Sequence, residues 1–296
     1  MKTRTDLLIF LRPFRILLIA FALLLAGPGQ GYAQDEAATN NQKINRLTLE
    51  ARLTKEGQAI ENGLEWRIFG QNLGQDGKLP LLAEAFGGIK TFDITQGDYL
   101  VHVAYGHAAL VRKVSVGDAA TTIIFELNAG GLKLDAIAAI DTPIPAKYLK
   151  FDVYDSEQNE FGERKLIARA VSAGEIIPFP AGTYHVISRF GETNAEIGAD
   201  LRVQPGKVTA ANLEHRAAVL TFRLVSSAGG DAIADTSWSI LTESGDLITE
   251  SRSTFPTMVL AEGTYSAIAK HKGTIYSTNF EVRSGVFGDI EVLAIN

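Results

Sequence analysis

The chain has 296 residues, no cysteine and a formal net charge of −6, with 46% hydrophobic and 21% charged residues. That is enough apolar material to build cores without disulfides, and the missing cysteines exclude thiol catalysis, zinc–thiolate sites and iron–sulfur clusters. The charges are spread out with no basic stripe, which excludes a nucleic-acid footprint and disfavours anionic membrane surfaces.

In chain order, the first predicted element is a signal peptide. Lys2, Arg4, Arg12 and Arg15 form a basic start, "ILLIAFALLLA" (16–26) is an apolar run of 11, and small residues stand at Gly31 and Ala33. Cleavage is expected after Ala33, giving a signal peptide over 1–33. The apolar run falls short of the roughly 20 residues a membrane span needs. No stable membrane insertion is therefore expected after cleavage, and the destination is the periplasm. Cleavage removes four basic residues and one acid, so the net charge moves from −6 to −9. A polar leader without a fixed structure, beginning "QDEAATNNQK", is expected over 34–44.

From there the pattern is β throughout, with short alternating runs separated by Gly-containing turns. "RLTLEARL" (46–53) places Leu47, Leu49, Ala51 and Leu53 on one face. Three segments then align without gaps: "TQGDYLVHVAYG" (95–106), "PAGTYHVISRFG" (180–191) and "AEGTYSAIAKHK" (261–272). Gly97, Gly182 and Gly263 coincide, as do Tyr99, Tyr184 and Tyr265, at spacings of 85 and 81 residues. Upstream, Trp66, Phe151 and Trp238 fall at matching places, 85 and 87 residues apart. Two anchors with nearly one period predict three tandem modules.

That module length suits an all-β, immunoglobulin-like sandwich of about seven strands. The predicted boundaries are 45–130, 131–216 and 217–296. The large aromatic of each module is expected between its two sheets. The repeat glycine is expected to make a tight turn. The tyrosine then opens a core strand as a tyrosine corner, its hydroxyl bonded to backbone a few residues upstream. The second copy's inner face reads Tyr184, Val186, Ser188, Phe190. The joints "FELNAGGLKLDA" (125–136) and "NLEHRAAVLTFRL" (212–224) lack flexible-linker composition. An elongated, fairly stiff rod of three modules is expected, and a compact radius of gyration in solution scattering would overturn it.

Motifs that could carry chemistry are few. "AVSAG" (170–174) outlines a nucleophile elbow around Ser172, but Ala170 stands where the motif has Gly, and strands flank both sides instead of a strand and a helix. It reads as a turn. His102, His107, His185, His215 and His271 form no H-x-x-x-H or H-E-x-x-H pair. His102 and His185 alternate with the core face and are expected to point to solvent. "DSEQNE" (155–160) puts Asp155, Glu157 and Asn159 at alternate positions, yet Glu160 and Leu166 stand where an EF-hand loop has Gly and Glu. A solvated hairpin tip is expected there. Ile268, opposite the core face in the place of Ile187 and His102, is a candidate for a binding patch. No catalytic, cofactor-binding or metal-ligating residue is predicted.

The G-[TD]-Y strand with its upstream aromatic resembles bacterial immunoglobulin-like and carboxypeptidase-regulatory-like modules, which are prealbumin-like β-sandwiches. Those are non-catalytic accessory domains of exported proteins. The order signal peptide, "GLEWRIF", "GDYLVHVAYG", "AGTYHVISRFG" and "AEGTYSAIAKHKG" resembles a family of exported α-proteobacterial proteins without an assigned activity. The resemblance implies a periplasmic address and transfers no functional residue. The expectation is a non-enzymatic periplasmic interaction or scaffold protein whose partner is an envelope protein. A glycan such as peptidoglycan is the alternative partner, and it would need exposed aromatics, whereas Trp66 and Trp238 read as core. The rival class is a hydrolase assembling a Ser–His pair or perturbed carboxylates from different modules.

Overall fold

The computed structural model describes residues 43–139, 142–285 and 287–295. The predicted signal peptide and leader positions 34–42 lie outside the described residues. Among the described residues no helix is long and apolar enough to cross a membrane. The helical element found there is one short 3-10 turn, Ala146–Tyr148.

The first module comprises β1 (Ile44–Arg52), β2 (Leu64–Gly70), β3 (Leu81–Gly87), β4 (Lys90–Thr95), β5 (Gly97–Tyr105), β6 (Ala108–Val116) and β7 (Thr121–Glu126). They form two sheets, ordered β4-β1-β7 and β3-β2-β5-β6. The second contains β8 (Ala129–Ala138), the two-residue β9 (Thr142–Pro143), β10 (Leu149–Gln158), β11 (Arg164–Val171), β12 (Ile176–Pro180), β13 (Gly182–Phe190), β14 (Glu196–Val203) and β15 (Val208–His215). Its sheets are β12-β8-β15, with β9 beside β8, and β11-β10-β13-β14. The third has β16 (Ala217–Val225), β17 (Thr236–Thr242), β18 (Leu247–Ser251), β19 (Thr257–Ala261), β20 (Gly263–His271), β21 (Thr274–Val282) and β22 (Phe287–Leu293). Its sheets are β19-β16-β22 and β18-β17-β20-β21.

Setting β9 aside, one seven-strand order is written three times, so the fold is the tandem all-β sandwich expected. The partition differs from antibody constant domains, where strands A, B, E and D share a sheet. Here the first strand pairs with the fourth and seventh, and the second with the third and fifth. In every module the first and last strands run parallel.

Alternation decides which side of each strand is core. In β1, Leu47, Leu49 and Ala51 are fully buried while Thr48 and Glu50 face away. Each module has its own core cluster. Trp66 and Phe151 are 0% exposed and Trp238 is 1% exposed, each in the second long strand of its module. Trp66 meets Phe125 edge-on at 5.5 Å, and Trp238 tilts against Phe222 at 5.8 Å. Their indoles differ in one respect. Trp66 Nε1 donates to the Gly88 carbonyl at 2.9 Å, whereas Trp238 Nε1 is buried without a partner among the described residues.

The tyrosine corner is present in all three copies. The hydroxyls of Tyr99, Tyr184 and Tyr265 donate to the carbonyls of Thr95, Pro180 and Ala261 at 2.6, 2.8 and 3.0 Å, always four residues upstream. The preceding glycine stands directly after a tight turn of one residue, Gln96, Ala181 or Glu262, between the fourth and fifth strands. Gly97 and Gly263 have φ of 158° and 155°, close to extended, and each repeat glycine opens its strand. The chain passes there from one sheet to the other, and the tyrosine ring folds back over the glycine at 3.5–3.9 Å from where a Cβ would stand. Tyr184→Phe is expected to cost about 1 kcal/mol, the net worth of one hydrogen bond, measurable as a lower urea midpoint at unchanged slope.

Candidate functional site

Two polar clusters and two joints are where chemistry or binding could reside. The first cluster is a Ser–His pair. On β13, Ser188 takes the inner face between Val186 and Phe190, as the alternation predicts, and is 0% exposed. His215, the last residue of β15, is 2% exposed. The Ser188 hydroxyl and His215 Nε2 are hydrogen-bonded at 2.8 Å, and the imidazole lies edge-on to Phe190 at 5.8 Å. Burial lowers the His215 pKa to about 4, which keeps the imidazole neutral and makes it a weak proton acceptor. No carboxylate is among its side-chain hydrogen-bond partners. A nucleophile must reach a substrate, and this hydroxyl is sealed in a core. Both residues belong to one module, not to two.

The second cluster surrounds Asp152 on β10, which is 3% exposed. Its Oδ1 accepts the Ala170 N–H at 2.8 Å, and its Oδ2 accepts from the Arg189 guanidinium. Between the pairs Phe151–Val171 and Val153–Ala168 the β11 side carries one extra residue, so the strand bulges with Ala170 at φ 53°. The carboxylate satisfies the N–H that the bulge frees from the ladder. Burial pushes the Asp152 pKa up, but the Ala170 N–H and the Arg189 guanidinium outweigh it, and the carboxyl is held below the ordinary range. Arg189 in turn is held charged by Asp152 and by Glu196, whose Oε1 accepts its Nε–H at 2.7 Å. With Lys150, Arg169 and Glu192 these residues line an open hollow of about 320 Å³. Both carboxylate oxygens are committed, so the cluster is a brace. Asp152→Ala is expected to cost about 1–3 kcal/mol, chiefly because the Ala170 N–H loses its acceptor while Arg189 keeps Glu196, read by denaturant unfolding.

The other sequence candidates stay apart from one another. Ser172 is exposed in the turn after β11, between strands as expected. Asp155 and Glu157 belong to β10, so the hairpin tip between "KFDVYD" and "ERKLIARA" starts later than the sequence suggests. It runs over 159–163, where Asn159 Oδ1 accepts the N–H groups of Phe161 and Glu163. His102 and His185 do lie on outer faces, but both are half-buried. His185 Nδ1 is 2.7 Å from Asp200, and His102 Nδ1 is buried without a partner among the described residues. A β sheet shields its own outer face with cross-strand neighbours, which is why alternation alone overstated their exposure. Ile268 is half-buried and borders a hollow of about 360 Å³ with Lys270 and the exposed Ile275. No group of three or more His, Cys, Asp or Glu able to hold a metal ion occurs among the described residues.

The joints are the most developed polar contacts. Two residues, Leu127 and Asn128, separate β7 from β8, and Arg216 alone separates β15 from β16. At each joint the turn between the fifth and sixth strands of one module lands on the fourth strand of the next. At the first, His107 N–H donates to the Pro178 carbonyl at 2.8 Å, and its ring stacks on Phe179 at 4.6 Å. At the second, Thr193 donates to the Val259 carbonyl, Asn194 Oδ1 accepts the Ala261 N–H at 3.0 Å, and Asn194 Nδ2 donates to the Tyr265 hydroxyl at 2.9 Å. The contact point is a glycine both times. A Cβ on Gly106 would stand 2.7 Å from Pro178, and one on Gly191 would stand 2.6 Å from Val259. Both glycines are also left-handed, at φ 58° and 73°. Gly191→Ala is expected to cost about 1–3 kcal/mol, seen as a lower melting temperature. This docking does not follow from the alternation or the repeat alone. Its signal was present as two glycines nine residues after Gly97 and Gly182.

Comparison with known proteins adds the following. Residues 219–294, nearly the whole third module, match the family model described as the Rhizobiales growth-associated tandem repeat domain. No curated protein matches the chain. Among solved structures, the Bacillus anthracis TIE protein is similar at 14% identity and a TM-score of 0.24, over 84% of this chain and 51% of that one. The chain thus spans about half the length of that protein. GBS52, the minor pilin of Streptococcus agalactiae, is similar at 13% identity and a TM-score of 0.31, over 58% of this chain and 95% of that one. BcpA, the major pilin subunit of Bacillus cereus, is similar at 11% identity and a TM-score of 0.23, over 86% of this chain and 100% of that one.

Proposed function

We propose that this chain is a non-enzymatic interaction protein of the cell envelope, exported to the periplasm, which presents the sheet faces and loop tips of joined modules to a protein partner. The observation that carries this is the fate of its buried polar groups. Ser188, His215 and Asp152 have the chemistry an enzyme would use, and each is spent holding strands in place. The matched repeat family is described as growth-associated, and the partner we expect is one concerned with growth. A protein partner is favoured over a glycan, because Trp66 and Trp238 are core and the exposed aromatics Phe86, Phe161, Phe255 and Phe287 lie on separate elements in all three modules.

In-cell crosslinking of the tagged, signal-bearing protein, followed by mass spectrometry of the envelope fraction, tests this. One dominant protein partner is expected, with the crosslinked lysines identifying the module that binds. Recovery with peptidoglycan fragments, or hydrolysis of any envelope polymer by the purified protein, would overturn the proposal.

A further inference from the structure

The two internal joints follow one rule, and the same two positions recur in the first and third modules, where no further module faces them among the described residues. The turn residue that touches the next module is Gly106 in the first module and Gly191 in the second, and the repeat places Lys272 at that position in the third. All three share the left-handed backbone, at φ 58°, 73° and 47°, in turns of two, five and two residues, and only the third carries a side chain there. The surface they would touch is set by a residue four before the repeat glycine. It is Pro178 in the second module and Val259 in the third, and Asp93 stands there in the first.

The cross-strand neighbour follows the same division. Pro178 pairs with Gly131 and Val259 with Val219, whereas Asp93 pairs with Arg46. The corners at the two internal joints are therefore Pro/Gly and Val/Val, and that of the first module is Asp/Arg. Asp93, Arg46 and Lys272 are all exposed.

We propose that Lys272 and the Asp93–Arg46 corner stop copies of this chain from joining end to end through the contact that joins its own modules. Such a contact would be head-to-tail, with nothing to close it, and would run on into open filaments. Stacked repeats keep their free faces polar for this reason, and β4 is in addition a sheet edge, which natural proteins guard with charge. Lysine blocks the contact in two ways. Its Cβ has no room where one added to the joint glycines would stand 2.6–2.7 Å from the next module, and its ammonium would lose water on docking. On the receiving side, Asp93 and Arg46 would have to be dehydrated where the internal joints bury proline, glycine and valine.

The test opens each end separately in the full chain. Lys272→Gly frees the turn, and Asp93→Val with Arg46→Val copies the corner of the third module. Each variant is checked for wild-type-like cooperative melting, then the two are mixed up to about 1 mM, the effective concentration a short linker supplies. The expected result is a monomeric wild type, with each variant monomeric on its own, and a 1:1 complex on mixing, seen by sedimentation velocity. A milder receiver, Asp93→Thr with Arg46→Thr, replaces the valine pair if that variant melts non-cooperatively. Folded variants that stay monomeric when mixed would overturn the proposal. So would a wild type that self-associates and loses this on Lys272→Glu.

Discussion

Trp66→Ala is expected to lower stability by about 3–5 kcal/mol, the usual range for truncating a core aromatic, and to unfold the first module ahead of the other two. The more discriminating variants are phenylalanines. Trp66→Phe removes bulk and also leaves the Gly88 carbonyl without the indole donor it accepts at 2.9 Å. Trp238→Phe removes similar bulk together with an N–H that has no partner among the described residues. An unsatisfied buried carbonyl costs about 1–3 kcal/mol, whereas deleting an orphan donor recovers part of its burial cost. Trp66→Phe should therefore be the more damaging by about 1–3 kcal/mol. Phe151 already occupies the equivalent place in the second module, so the fold accepts phenylalanine there. Equal denaturant midpoints for the two phenylalanine variants would refute the difference assigned to Gly88.

The second large effect is a loss of stability in mild acid. Burial lowers the His215 pKa to about 4 from its ordinary 6.5, so the folded protein keeps the imidazole neutral. The unfolded chain takes up a proton near 6.5. Between those values the unfolded state binds more protons, and stability falls as pH drops through that window. It is fully present above 6.5, and this residue takes nothing further below about 4. The span corresponds to about 3 kcal/mol. His215→Gln, which can still hydrogen-bond Ser188, should be less stable at pH 7 yet should lose most of the slope between pH 6.5 and 4. Urea midpoints across pH 4–7.5 give the comparison. A variant with the wild-type slope would show that some other group titrates.

What was legible in the sequence is what the repeat writes locally. The aromatic anchors, the strand after each repeat glycine and the tyrosine corner are contacts within four residues of one another or alternations along a strand. A period seen three times made them plain. Contacts between strands were not legible. Ser188 and His215 are 27 residues apart and Asp152 and Ala170 are 18 apart, and nothing local distinguishes them from other core-facing or strand-edge residues. Gly106 and Gly191 carry positive φ as any hairpin turn would. Only the neighbouring module shows why a side chain cannot stand there.

The parallel pairing of first and last strands has a mechanical consequence. Because β1 and β7 run the same way as neighbours, the start of one and the end of the other lie at opposite ends of the module. Tension applied along the chain then shears all six of their residue pairs at once instead of unzipping them singly. The second and third modules present eight and seven such pairs to the same load. Stretched between two attachments, each module resists as a clamp, and the joints of two residues and one leave almost no slack to take up before the clamps engage.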